Sequence, residues 1–140
     1  MSGRGYDKKD YIDAGIMDIL QDDATILSAL EDNSIGGACV DKGLLDALFC
    51  AECYDQMEHV MQSVHRVLQP GTQFVVFSFS KPEYILNHML SHSSHQTQTQ
   101  HDRRKYMQMW SHVEVRALDS ILMYRYEKRM DPKQRRRRRK

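Results

Sequence analysis

A chain of 140 residues, 41% of them apolar, is sized for one domain with one hydrophobic core. No run of eighteen apolar residues occurs, which excludes a membrane-spanning helix, and the polar opening MSGRGYDKKD lacks the apolar stretch of a secretory signal. The net charge of +1 hides a split: residues 133–140, KQRRRRRK, hold seven of the twenty basic residues, leaving thirteen against nineteen acids elsewhere, a balance of −6.

The body is therefore acidic and the tail basic. A tail of like charges repels itself and buries nothing, so residues 129–140 are expected to be disordered. They suit nuclear import or binding to a polyanion such as nucleic acid, and equally a solvated end. Residues 1–10 are expected to be a flexible N-terminus. The expected address is cytoplasmic or nuclear, with no membrane partner.

In chain order, Tyr11 to Met17, YIDAGIM, reads as a short strand weakened by Gly15 and ending at Asp18. Residues 20–31 hold a helical turn or two before Glu31-Asp32-Asn33-Ser34. IGGACV, Ile35 to Val40, reads as a strand whose two glycines predict a close approach to the backbone. A short helix, LLDALF, follows. Residues 55–68 give the strongest helix pattern, with Met57, Val60, Met61, Val64 and Leu68 at helical spacing. Asp55 and Glu58 are placed to form a capping box, and Gln69-Pro70-Gly71 ends the helix.

QFVVFSFS, residues 73–80, is a strand whose continuous apolar run predicts cover on both faces. Pro82 opens a short helix through Leu90. Residues 91–105, SHSSHQTQTQHDRRK, are polar and of low complexity and read as a mobile loop. Two alternating runs, 110–118 and 121–128, flank Asp119-Ser120 and predict a β-hairpin. Strands alternating with helices and closing on a hairpin imply an α/β fold, mostly parallel with an antiparallel end.

Three cysteines, Cys39, Cys50 and Cys53, do not make a disulfide framework. Cys50 and Cys53 spell C-x-x-C, but a structural zinc needs a second such pair, and His92, His95 and His101 sit in the polar loop with no scaffold around them. No metal site is expected.

In parallel sheets, ligands bind at the carboxyl ends of strands. Asp18, Asp41 and Ser78 to Ser80 fall there. VDKGLLDALF, residues 40–49, sets two acids, a lysine and a glycine where an apolar run stops. Asp41 either faces a ligand crevice or caps the helix that follows. Gly43 allows the turn, and Lys42 and Asp46 are placed to pair.

VDKGLLDAL resembles the fourth-strand motif of the class I, seven-strand S-adenosylmethionine-dependent methyltransferases, in the protein-lysine branch marked by D-K-G-x-x-D-A. Met17-Asp18 resembles that branch's acid after strand three, and Arg66-Val67-Leu68-Gln69-Pro70-Gly71 its R-V-L-K-P-G-G segment, with Thr72 replacing the second glycine. Ser80-Lys81-Pro82 and the closing hairpin also match. The resemblance covers residues 11–128. It implies the C-terminal half of a Rossmann-like sheet, strands three to seven, within a family order of 3-2-1-4-5-7-6. Strands one and two and the acidic glycine-rich loop that cradles the cofactor have no counterpart in these 140 residues.

The resemblance implies Met17, Asp18 and Asp41 on the S-adenosylmethionine side, Asp41 and Lys42 beside the transfer site, and Gly43, Asp46 and Ser80 on the substrate side. The acceptor implied is a protein amine, since the nucleobase-amine branch carries N/D-P-P-Y/F instead. It also implies that this chain alone is incomplete and inactive, needing a second polypeptide for the missing half. The alternatives are a catalytically dead relative that binds a partner through an open strand edge, or a nucleic-acid-binding protein driven by its tail. Residues 1–34 are expected to be poorly anchored or repacked on the open edge of the fourth strand.

Overall fold

The computed structural model describes residues 21–82 and 108–130. The expectations for residues 1–20, the 82–90 helix beyond Pro82, the 91–105 loop and the tail beyond Met130 lie outside the described residues. Six elements are present: β1 (Ala38–Lys42), α1 (Leu44–Cys50), α2 (Tyr54–Val67), β2 (Gln73–Ser78), β3 (Trp110–Leu118) and β4 (Ile121–Lys128). They form one four-stranded sheet in the order β1-β2-β4-β3. β1 and β2 are parallel, with Val40 opposite Val75, and β4 runs antiparallel between β2 and β3. The α/β class stands, and this order is the 4-5-7-6 part of the sheet implied by the resemblance.

One face of the sheet carries the core. Phe74 and Val76 of β2 and Tyr124 and Tyr126 of β4 alternate inward, and Trp110 of β3 joins them. α2 lays Met57, Val60, Met61 and Val64 against them, the stripe that its 3.6-residue spacing predicts. α1 adds Leu45, fully buried. The rings of Phe74 and Trp110 stack with centroids 6.5 Å apart, and Tyr126 lies 5.5 Å from Trp110. On the other face, Val75 and Phe77 are only half-buried, less covered than the apolar run predicts.

Several local expectations shift. β1 starts at Ala38, three residues later than Ile35, which makes only an isolated bridge with Leu68. A Cβ on Gly36 would meet the Gln69 side chain at 3.2 Å, the predicted close approach, whereas Gly37 faces open space. The Asp55–Glu58 capping box does not form. α2 is capped by Cys53 without a side-chain bond, and Glu58 accepts from Gln62 Nε2 instead. The reason lies just upstream. Glu52 N–H bonds Phe49 O and Cys53 N–H bonds Leu48 O, with Glu52 at φ 57°, so α1 ends in a Schellman turn that feeds straight into α2.

Residues 21–34 are neither loose nor laid on the edge of β1. The Arg66 guanidinium gathers the carbonyls of Ile26 (3.0 Å), Leu27 (2.8 Å) and Leu30 (2.9 Å) and pairs with Asp32 at 2.7 Å. Ser63 Oγ donates to Thr25 O at 2.6 Å. α2, not the sheet edge, is their anchor. Among the described residues, the outer edge of β1 has no strand partner.

The 69–72 turn follows from its sequence. Pro70 followed by Gly71 at φ 82°, with Thr72 N–H bonded to Gln69 O, is a type II turn. Lys128 then fixes the corner. Only 8% exposed, its ammonium donates to Asn33 Oδ1, His65 O and Leu68 O at 2.8, 2.7 and 2.6 Å, saturating its three donors.

Candidate functional site

The carboxyl ends of β1 and β2 bring the D-K-G-L-L-D-A segment beside Ser78-Phe79-Ser80. Asp41 ends the buried alternation of β1. It is 9% exposed, and its two oxygens accept from Leu44 N–H (3.0 Å) and Leu45 N–H (3.2 Å). Of the two roles open for Asp41, the geometry displays the helix-capping one: its charge sits at the positive end of α1. Gly43 makes this possible at φ 104°, where an L side chain is strained. Lys42 is exposed, on the sheet face opposite the core.

Asp46 does not pair with Lys42. It turns across to the end of β2, where it accepts from the Ser78 hydroxyl, from Phe79 N–H at 2.9 Å and from Ser80 Oγ at 3.2 Å. The physical reason is proximity: three donors at the end of β2 converge on one carboxylate, while Lys42 leaves β1 from the other face. Ser80 N–H also bonds Ser78 Oγ at 2.9 Å, and Tyr124 Oη donates to Ser80 O at 2.7 Å. Four elements thus meet at one network. Asp41, Gly43, Asp46 and Ser80 are brought together, with Lys42 at the rim. Met17 and Asp18 lie outside the described residues.

Sequence reasoning set Ser78 at the strand end but missed its bond to Asp46, and missed Tyr124 altogether. Ser78 is the only polar side chain among the inward positions of β2, which was the available signal.

The chemistry of this donor set is structural. Both carboxylates are engaged by N–H and O–H groups, so neither is a free base, and the described residues offer no glycine-rich cradle for a nucleoside cofactor. The S-adenosylmethionine that the resemblance implies would not be held by these described residues alone. Among the described residues, no three histidine, cysteine or acidic side chains converge as metal ligands. Cys39, Cys50 and Cys53 are free thiols, and burial pushes the Cys39 thiol up. Among the described residues, no helix is long and apolar enough to cross a membrane.

No family model matches the sequence, and no curated protein matches it. Two solved structures are similar in part. A proposed DNA modification methylase from Thermus thermophilus shares 15% identity at a TM-score of 0.46, over 83% of this chain and 56% of that one. A SAM-dependent methyltransferase from Methanosarcina mazei shares 13% identity at a TM-score of 0.43, over 79% of this chain and 66% of that one. The chain spans between half and two thirds of the length of both.

Proposed function

We propose that this is a methyltransferase-like protein in which the ends of β1 and β2 form the acceptor side of an S-adenosylmethionine site, with a protein amine as acceptor. One observation carries the reading. Asp46, from the D-K-G-x-x-D-A segment, is bonded to Ser78, Phe79 and Ser80 at the carboxyl end of the neighbouring parallel strand. That is where open α/β sheets bind ligands. In this reading Asp41 and Asp46 are positioning residues: Asp41 starts α1, and α1 carries Asp46 to β2. Positioning supplies most of the rate of an in-line transfer between two bound groups. The cofactor's own contacts, including any from Met17 and Asp18, come from outside the described residues, and a second polypeptide is the natural source of the rest. The 140-residue chain alone then transfers no methyl group.

Calorimetric titration of the purified chain with S-adenosylmethionine, alongside a circular dichroism melt, tests this. A cooperative melt without binding is expected. Tight binding by the chain alone would overturn the incomplete site.

A second reading has its own observation. Val40 is 63% exposed on β1, whose outer edge has no strand partner among the described residues. An open edge can take a strand from another protein, and a catalytically dead, partner-binding relative would use it so. Tail-driven nucleic-acid binding is the third reading. Deleting residues 132–140 separates it from the others, because only there is the main activity lost.

A further inference from the structure

Phe79 is 75% exposed, more than any other large apolar residue described. Its backbone is nonetheless fixed on both sides. Its own N–H is held by Asp46, Ser78 before it bonds Asp46, and Ser80 after it bonds Asp46, Ser78 and Tyr124. An exposed aromatic on a mobile stub would lose backbone freedom on binding; here that freedom is already gone. Pre-organised aromatic side chains are the type that carries binding energy in protein interfaces.

The charges nearby are sorted by sign. Asp41 and Asp46 turn their oxygens inward to N–H and O–H donors. Lys42 and Lys81, both exposed, present cations outward. Lys42 lies opposite Phe77 in the β1–β2 ladder, and Phe79 follows directly after the last residue of β2. A single-stranded nucleic acid would want several aromatic platforms in a row, and Phe79 is the one exposed Phe, Tyr or Trp ring among the described residues.

We propose that Phe79 anchors a docking patch for an acidic and apolar peptide segment of a protein partner, with Lys42 and Lys81 meeting its carboxylates. The inference rests on the reading that the acceptor is a protein, and it names the chemistry of the segment recognised. An apolar residue of the peptide packs on the ring while flanking acids face the two ammonium groups.

Fluorescence polarisation of the full 140-residue chain tests it. The probe is a labelled twelve-residue peptide of Leu, Asp and Glu around one central Lys; the control carries Lys at every acidic position. The acidic peptide should bind and the basic control should bind at least about tenfold more weakly. Phe79→Ala should weaken binding about tenfold or more with an unchanged melt, since the ring is exposed. The double change Lys42→Glu, Lys81→Glu should reverse the preference between peptides. Absence of binding to the acidic peptide, equal binding of both peptides, or an unchanged Phe79→Ala affinity would each overturn the patch. So would Phe79-dependent capture of an oligothymidine in place of the peptide. The S-adenosylmethionine titration stands apart: its outcome decides the methyltransferase reading whichever way the peptides behave.

Discussion

Lys128 Nζ donates to Asn33 Oδ1 at 2.8 Å across ninety-five residues of sequence. The same ammonium holds the carbonyls of His65 and Leu68, so one side chain closes the end of α2, the loop before β1 and the end of β4 together. Lys128→Met keeps the length of the side chain and strands those acceptors. A loss of about 2–4 kcal/mol is expected, within the range for leaving buried polar groups unpaired. Urea denaturation checks it, and a change under about 0.5 kcal/mol would mean that the clamp is not needed.

His65 gives a signed pH dependence. Burial holds its imidazole below the ordinary value of 6.5, the Lys128 cation adds to that, and the Met109 carbonyl 3.1 Å from Nε2 partly opposes. A depressed histidine is protonated more readily in the unfolded chain. Its contribution is therefore fully present above about pH 6.5 and is lost as pH falls below 6.5 towards the depressed value. The melting temperature should drop through that window, and His65→Gln should flatten the drop. A wild-type curve level from about pH 7.5 to 5.5 would refute it.

Asp41 separates capping from chemistry. Asp41→Ala removes the acceptor for the first two N–H groups of α1, at a cost of about 1–2 kcal/mol. Asp41→Asn keeps an oxygen acceptor and should cost less than half as much. Equal losses from the two, read from chemical denaturation, would show that the charge matters more than the acceptor.

Glu52 sits at φ 57° in the residue that ends the α1 Schellman turn, a position where glycine has no steric penalty. Glu52→Gly should stabilise the chain by about 0.5–1 kcal/mol, the left-handed strain relieved less the added freedom of the unfolded glycine. A lower melting temperature would argue against this.

What the sequence made legible was periodic or local. The stripe from Met57 to Leu68, the apolar run of β2 and the two alternating runs around Asp119-Ser120 each carry their period in plain view. β4 slips between β2 and β3 because the hairpin is antiparallel and pairs through its second strand, as the resemblance implied. What stayed hidden were single polar side chains that act over long distances. Lys128 reads as the last residue of an alternating strand beside a basic tail, yet it is buried. Arg66 reads as the first residue of the R-V-L-x-P-G segment, yet it gathers three carbonyls upstream. Asp46 reads as the neighbour of Lys42, yet its partners are thirty-two to thirty-four residues on. No spacing rule marks such residues, because their partners are chosen by the finished packing. The Asp55 capping box failed for a local reason: the turn from α1 set the start of α2 at Cys53.

The Arg66 staple also sets an order of events during synthesis. Ile26 leaves the ribosome forty residues ahead of the guanidinium that receives its carbonyl. At ordinary elongation rates that gap lasts roughly 2–8 s. For that time residues 21–34 have no anchor, and Ile26 and Leu27 stand as bare apolar chain. The segment can therefore take its shape only once the end of α2 has emerged, and until then a chaperone or protease would meet it as open chain.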